Sequence, residues 1–568
     1  MILYDIIYKM GEKQPSHNGQ IFLVYKNERF IYMTREQRRK QVKRNRISLA
    51  FIIVEIIAVC VLIPICISRF GNKDSETEDK PVIITDADAS ITDKTVVQDP
   101  SKGVDVQNAA GATSQASQGG TDISDPSGMG EKTGDGTGTE NGEPDGSKGE
   151  ESGNGTEKDD KQNTTVLNGP LGTIIAQADL KAAMYDYDAA IELVKSSPDY
   201  ETSVEAKAAV ERYEADKAKC VKWHDNTQIS HIFVHSLIVD TSRAFGPKSS
   251  QPKGYNQYMT TVSEFNKMIE SMYEKGYVLV SIHDISKRVI DEDGNEKMVA
   301  QDIMLPPGKE PFVLSQDDVN YYEYMDNDGF ADRIVIGEDG IPTCQYTDID
   351  GTVSYGEYDV LPIIDRFINE HPDFSYRGAK GILAVTGYEG ALGYDTGLSM
   401  KIYDGLSEEE KMKRINAERE KAKAVADAIK ADGWEFASHS YTHSNMTNAT
   451  IEKMQYDSKR WHEEVEIIVG PTDIYIYPYG ADICDWHGYK GEKFELLKSY
   501  GFWYFCNVDA SRYWIQLRSD YFRMGRINTD GERMHITLKN RSDPSLPDRL
   551  SYFFHTEDVY DYSRPAWD

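Results

Sequence analysis

The chain has few cysteines and lacks a net positive charge, and these two features exclude several classes of protein. Six cysteines among 568 residues are too few for a disulfide scaffold, and none shows the C-x-x-C spacing of a metal site. A net charge of −31 argues against nucleic-acid binding, which needs basic groups to neutralise phosphates. The composition is near the globular average, which excludes collagen-like and wholly disordered chains.

Charge divides the chain into three parts. Residues 1–70 carry 12 Lys and Arg against 5 Asp and Glu, a net of +7, whereas residues 71–170 carry 8 against 21, a net of −13. Subtracting both from −31 leaves −25 for residues 171–568. We therefore expect a basic head, an acidic middle and an acidic body.

Residues 47–68 form a long apolar run, ISLAFIIVEIIAVCVLIPICIS, with one charge, Glu55. A helix of about 20 apolar residues spans a bilayer. Six basic residues precede the run within 38–46, which by the positive-inside rule predicts a cytoplasmic head, 1–46. A cleaved signal peptide or a core helix is the alternative, but the run is long and no small-residue cleavage site follows. We expect a single-pass membrane anchor with the C-terminal domain outside the cell.

The middle of the chain predicts a tether and a helical module. Residues 69–170 are acidic and rich in glycine and serine, with too few large apolar residues to form a core, so we expect a disordered linker. Residues 171–224 repeat apolar residues at helical spacing around a break at Ser197-Pro198, which predicts a hairpin of two helices. The hairpin either pairs as a coiled coil or packs on the next domain.

The body, 225–568, alternates short apolar segments with amphipathic ones. Strands are predicted at 231–239, 277–282, 311–315, 381–387, 435–440, 474–480 and 502–508. Helices are predicted at 261–276, 359–371, 407–432 and 450–470. This order predicts an α/β fold of βαβ units with a parallel sheet, and the number of strands favours a barrel. Turn signals over about 319–378 predict a hairpin-like insertion.

Polar groups that suit metal chemistry follow two of these strands. Asp317 and Asp318 come directly after the strand PFVL, where one carboxylate can bind a metal while the other reaches water or substrate. His439 and His443 follow the strand EFAS, and an i, i+4 pair on a helical turn can converge on one cation. Each motif alone has an ordinary alternative, a turn or helix cap for the aspartates and surface positions for the histidines.

A third motif, Tyr477-Pro478-Tyr479-Gly480, follows the strand IYI. In this order the three motifs resemble the polysaccharide deacetylase family, carbohydrate esterase family 4 or NodB-homology domain, over roughly 225–530. SQDD is similar to the family's T-F-D-D, SHSYTH to its H-[ST]-x-x-H, and YPYG to the end of its R-P-P-Y-G. The resemblance implies a distorted (β/α) barrel that removes acetyl groups from a polymeric glycan such as peptidoglycan.

The resemblance also implies roles for individual residues. Asp317 would be the general base, and Asp318, His439 and His443 would bind a divalent metal, with zinc the first choice. The backbone N–H of Tyr479 would bind the oxyanion.

The chain departs from the family pattern in two places. Ile476 stands where the family has an arginine, and Arg526 would supply the guanidinium from another strand. No histidine matches the family's last motif cleanly, so His535, His555 and His235 remain candidates for the general acid.

The aromatic residues are expected to have either a structural role or a role in sugar stacking. Trp434, Trp461, Trp503 and Trp514 are expected in the core. Sugar stacking is the alternative to a structural role for Tyr321, Tyr322 and Tyr324, and Trp486 and His487 are further groove candidates.

Two alternatives to an acetyl-removing hydrolase stay open. One is an inactive glycan-binding module on the same fold, and the other is a metal-dependent amidase of a small substrate. The expected partners are an acetylated glycan and, through one helix, the membrane, with no nucleic acid.

Overall fold

The computed structural model describes residues 169–543, 545–546 and 548–567. The predicted head (1–46), membrane span (47–68) and nearly all of the predicted linker (69–170) lie outside the described residues. Among the residues described, no helix is long and apolar enough to cross a membrane.

Short strands recur along the whole described part of the chain. The strands are β1 (Val221–Lys222), β2 (Ser230–Val234), β3 (Tyr277–Leu279), β4 (Ser286–Ile290), β5 (Glu296–Ala300), β6 (Met304–Leu305), β7 (Glu310–Gln316), β8 (Arg333–Ile336), β9 (Pro342–Thr347), β10 (Val353–Gly356), β11 (Ile382–Val385), β12 (Glu435–Ser438), β13 (Ile474–Ile476), β14 (Tyr504–Val508), β15 (Ile515–Leu517) and β16 (Phe522–Asn528).

Helices lie before the first strands and between most of the later ones. The helices are α1 (Pro170–Ala183), α2 (Tyr187–Lys195), α3 (Val204–Lys217), α4 (Thr241–Ala244), α5 (Pro252–Tyr258), α6 (Val262–Glu274), α7 (Ile282–Ile285), α8 (Val360–Glu370), α9 (Glu408–Ala431), α10 (Ile451–Trp461), α11 (Ile467–Val469), α12 (Glu492–Ser499), α13 (Gly531–Asn540) and α14 (Thr556–Val559).

Seven parallel strands close into a barrel. Their order is β11-β12-β13-β14-β16-β2-β7, and β7 returns to β11 where Ser315 pairs with Ile382. Helices α8, α9, α10 and α12 connect strands of this ring, as a βαβ pattern requires. The predicted (β/α) barrel is therefore confirmed.

The membership of the ring corrects the prediction. The predicted strand 277–282 is the shorter β3, which pairs with the N-terminal half of β7 outside the ring. The ring is completed by β16, which was not predicted because Arg523 and Arg526 interrupt its apolar pattern. Six of its seven residues are buried nevertheless.

The helical module before the barrel also differs from the predicted hairpin. Three helices, α1 to α3, replace two, because the chain turns between α1 and α2 at Tyr185, whose φ is 62°. The hydroxyl of Tyr185 donates to the carbonyl oxygen of Asp373 at 2.8 Å, and the N–H of Arg377 donates to that of Met184 at 2.7 Å. The module thus packs on the segment that leads into β11, one of the two predicted arrangements.

The predicted insertion is a three-stranded antiparallel sheet, β8 to β10, and not a single hairpin. Its inner face buries Ile334, Cys344 and Tyr346, which alternate with more exposed residues along β8 and β9. The chain then returns to the barrel through α8.

The carboxyl ends of the ring strands open on one face. Asp317 follows β7, His439 follows β12, Tyr479 follows β13 and His235 follows β2. Because the ring is parallel, all four positions lie at the same end of the barrel, the end that carries active sites in (β/α) barrels.

Candidate active site

Asp317 is a buried carboxylate paired with a buried arginine. Nη1 and Nη2 of Arg526 donate to its two oxygens at 2.6 and 2.8 Å. Burial alone would raise the pKa of Asp317, but the charge of Arg526 outweighs it and holds that pKa well below its usual range. Asp317 is therefore ionised at neutral pH, as a general base must be.

A second pair of residues, not singled out in the sequence, lies beneath Arg526. Its Nη1 also donates to Oγ of Ser315 at 3.1 Å, and that oxygen lies 2.9 Å from Nε2 of His231. Burial, and then the charge of Arg526, lower the pKa of His231 well below its usual value. His231 is therefore neutral and supports the guanidinium without repelling it.

Asp318, His439 and His443 converge at the same end of the barrel. One possible ligand atom from each lies within 4.8 Å of the others, and all three residues are buried. Burial lowers the pKa of His439 to about 4, so its imidazole is neutral and can bind a metal at physiological pH. One carboxylate and two imidazoles match the donor sets of catalytic metals that keep open positions. These residues therefore fit a divalent metal.

Backbone carbonyls orient two imidazoles toward the carboxylates. Nδ1 of His439 lies 2.9 Å from the carbonyl oxygen of Ile476, and Nδ1 of His235 lies 3.1 Å from that of Tyr258. Since a carbonyl oxygen only accepts, Nδ1 carries the proton in both rings. Nε2 of His235 lies 4.0 Å from Oδ2 of Asp318, so His235 borders the cluster.

The turn that carries both metal-site histidines is not helical, which corrects the predicted geometry. Its backbone is left-handed at Ser440 (φ 61°) and His443 (φ 50°). The carboxylate of Asp457 in α10 accepts the backbone N–H groups of Tyr441 and Thr442, each at 2.8 Å. Such a conformation persists only where the surroundings enforce it, and Asp457 supplies that support.

Tyr479 sits in a tight turn at the rim, Pro478–Gly480, with φ 60° and ψ 9°. Its ring meets the ring of His443 edge-on, with centroids 4.5 Å apart. At Gly480, where φ is +64°, a Cβ would come within 2.5 Å of the Cβ of Val508, so only glycine fits. The turn thus fixes the backbone of Tyr479 beside the histidines.

Residues 408–504 match the model of a protein family described as polysaccharide deacetylase. This segment contains β12, both histidines and Tyr479. The chain carries a polysaccharide deacetylase domain. Asp317, Asp318 and Arg526 lie outside the matched segment, and the fold brings them to the same site.

Two solved structures are similar to parts of the chain. Streptococcus pyogenes deacetylase PplD in complex with acetate is 12% identical over 57% of this chain and 100% of its own, with a TM-score of 0.28. A Mycobacterium smegmatis protein assigned to the polysaccharide deacetylases is 17% identical over 30% of this chain and 45% of its own, with a TM-score of 0.18. The chain matched no curated protein.

The deacetylase domain brings one of the three general-acid candidates to the site. His535 in α13 stacks on Trp567 with ring centroids 4.6 Å apart, and His555 is exposed at the start of α14. Neither has a contact with the two aspartates among the described interactions. Of the three candidates, His235 is the one that lies beside Asp318.

The hydroxyl groups of the tyrosines that follow the aspartates bind different carboxylates. The hydroxyl of Tyr322 donates to Oδ1 of Asp318 at 2.6 Å, whereas that of Tyr321 donates to Oδ2 of Asp359 at 2.7 Å. The ring of Tyr324 stacks on that of Tyr322, with centroids 5.5 Å apart.

The tryptophans fall into buried and exposed groups. Trp434, Trp461 and Trp503 are buried, as expected, while Trp514 is half-buried beside the guanidinium of Arg523. Trp486 is 61% exposed and stacks on His487, with ring centroids 3.8 Å apart. This exposed pair remains a candidate sugar contact.

Proposed function

We propose that the protein is a metal-dependent hydrolase that removes acetyl groups from an N-acetylated cell-surface polysaccharide, peptidoglycan or a similar glycan. The observation that carries the proposal is the ionised Asp317, paired with Arg526, next to the donor set of Asp318, His439 and His443. An inactive glycan-binding relic needs no such base, so this pairing favours an enzyme over that alternative.

Asp318, His439 and His443 would hold the metal, for which we propose zinc. A divalent metal at such a site lowers the pKa of water and polarises a carbonyl. Asp317 accepts the proton of the attacking water, and its contact with Arg526 keeps it ionised and oriented for that step.

Two further groups complete the proposed chemistry. The backbone N–H of Tyr479, at the rim beside His443, donates to the oxyanion of the tetrahedral intermediate. His235 in its imidazolium form then gives the Nε2 proton to the leaving nitrogen, because its Nδ1–H stays bonded to the carbonyl of Tyr258, and Nε2 takes up a new proton from solvent after the products leave. The sugar amine and acetate leave.

Acetate release by the purified full chain tests this function. The substrates are peptidoglycan and N-acetylglucosamine oligomers, each with and without chelator and with zinc added back. We expect release from at least one glycan that chelator abolishes and zinc restores. Metal binding without release from any glycan would favour the binding module, and release only from small amides would favour the small-substrate amidase.

We also propose that residues 47–68 anchor the protein in the membrane with the deacetylase domain outside the cell. The support is the apolar run and the basic residues before it. Protease added to intact cells should then remove the deacetylase domain while a fragment containing residues 1–46 stays protected. Survival of the domain in cells that remain intact would contradict this orientation.

A further inference from the structure

We infer that Tyr322 is a positioning residue for the metal: its phenol holds Asp318 so that one carboxylate oxygen faces the two histidines. This inference rests on the proposed metal-dependent function. Nothing in the sequence motifs assigns such a role to Tyr322, and it follows from three sets of contacts.

The first contact is the hydrogen bond to the proposed ligand. The hydroxyl of Tyr322 donates to Oδ1 of Asp318 at 2.6 Å, a short bond of the kind made to charged acceptors. Oδ2 of the same carboxylate lies 3.6 Å from Nε2 of His443. The phenol thus engages one oxygen and turns the other toward the cluster.

The second set of contacts fixes the phenol itself. Oγ1 of Thr386 lies 2.9 Å from the hydroxyl of Tyr322. Since that hydroxyl donates its proton to Asp318, Thr386 is the donor to Tyr322. The ring of Tyr322 is 2% exposed and stacks against those of Tyr324 and Tyr388, with centroids 5.5 and 5.2 Å away. Packing therefore leaves the phenol little freedom to turn away from Asp318.

The third set joins the two loops that carry these residues. The side chain of Asn320 donates to the carbonyl oxygen of Thr386 at 3.1 Å and accepts the backbone N–H of Thr386 at 3.1 Å. Asp318 itself has a left-handed φ of 58°, which needs support from its surroundings. Asn320 and Tyr322, after β7, and Thr386, after β11, supply that support.

The consequence is an effect on metal affinity. Residues that hydrogen-bond a metal ligand orient it, and their removal typically weakens binding by about 10- to 100-fold. Tyr322→Phe removes one hydroxyl and keeps the ring, so we expect zinc affinity to fall by about that factor. Thr386→Val removes the donor behind the phenol and should cause a smaller fall in the same direction.

Tyr321→Phe is the matched control. Tyr321 is also buried, and it also gives its hydroxyl to a buried carboxylate, but to Asp359 and not to a proposed ligand. Both substitutions remove a buried phenol–carboxylate bond, so both should lower thermal stability comparably. Only Tyr322→Phe should weaken zinc binding.

The experiment is a zinc titration of the full chain against a chromophoric chelator. It compares wild type, Asp318→Ala, Tyr322→Phe, Thr386→Val and Tyr321→Phe, with folding checked by circular dichroism. Wild-type affinity in folded Tyr322→Phe, or an equal loss in Tyr321→Phe, would overturn the inference alone. Equal zinc binding by wild type and Asp318→Ala would overturn the proposed metal site as well. If Tyr322→Phe does not fold, wild-type affinity in Thr386→Val would overturn the inference.

Discussion

Two of the buried arginine–carboxylate pairs among the described residues are each joined by two hydrogen bonds but have different surroundings. Arg526 donates two hydrogen bonds to Asp317 at the carboxyl end of the barrel strands. Arg564, in the segment after α14, donates two hydrogen bonds to Glu264 of α6. Both guanidinium groups are inaccessible to solvent. The pairs differ in what else reaches the carboxylate.

Glu264 is enclosed by structural contacts, while Asp317 faces the metal-site residues. The oxygens of Glu264 also accept the backbone N–H groups of Thr261 and Asp561, at 2.8 and 2.9 Å. Oδ2 of Asp317 instead lies 3.9 Å from Nε2 of His439. A buried carboxylate paired with arginine is therefore a candidate base only where it faces groups that can bind a metal or substrate. The pair of Glu264 and Arg564 instead holds the C-terminal segment against α6.

The largest expected effect comes from neutralising Asp317, with the neutralisation of Glu264 as the matched control. Asp317→Asn removes the base, so turnover should fall by about 10²- to 10⁴-fold while zinc stays bound. Glu264→Gln should leave the turnover of the folded protein unchanged. Acetate release and zinc content measured on the same preparations check this, and retained turnover in Asp317→Asn would sink the base assignment.

Removing the structural arginine should act on stability and not on chemistry. Arg564→Met leaves Glu264 buried without its partner, which we expect to cost about 3–5 kcal/mol of unfolding free energy. Denaturant unfolding measures the loss, and acetate release per folded molecule should match wild type. A matching fall in turnover at full folding would show that the two pairs are not functionally separate.

The proposed acid is expected to have a smaller effect that depends on the leaving group. His235→Gln should slow release from N-acetylglucosamine oligomers by about 10²-fold, since an amine leaves only when protonated. An acetyl ester with a good leaving group, such as 4-nitrophenyl acetate, needs no such proton and should be slowed much less. Equal slowing of both substrates would argue that His235 positions other groups instead.

The smallest effect is a pH-dependent stability at the N-terminal ends of β12 and β13. His283 hydrogen-bonds Glu435, and its Nε2 lies 3.0 Å from Oδ1 of Asp473. Burial opposes the charge of the ring, but these two partners outweigh it and raise the pKa of His283 to about 10.

Since the pKa is raised on folding, the stabilisation is complete below the unfolded pKa of 6.5 and is lost as pH rises through about 10. The group is partly exposed, so we expect a contribution on the order of 1 kcal/mol. The melting temperature of the wild type should fall more between pH 7 and 10 than that of His283→Gln. Parallel pH curves for the two proteins would refute this role.

The barrel and the positions of the two aspartates and two histidines could be predicted because each motif is local and directly follows an apolar strand. Asp317 and Asp318 follow one apolar strand, and His439 and His443 follow another, so a strand pattern and a spacing were enough. The prediction of Arg526 as a partner for Asp317 required the resemblance, since Ile476 occupies the family's arginine position.

The supporting residues could not be predicted because their contacts join distant parts of the chain. Asp457 holds the histidine turn from the middle of α10, and His231 lies 84 residues before Ser315. The ring strand β16 was missed because buried arginines resemble surface residues until their carboxylate partners are known. No local pattern marks such pairs.

The most direct test of the account is where zinc binds relative to the two adjacent aspartates. Crystals of the metal-loaded protein, measured at the zinc absorption edge, show that position by anomalous scattering. We predict one strong peak in contact with Asp318, His439 and His443, with Asp317 still bound to Arg526. A peak coordinated by Asp317 in place of Asp318, or no peak at these residues, would contradict the division of base and metal ligand.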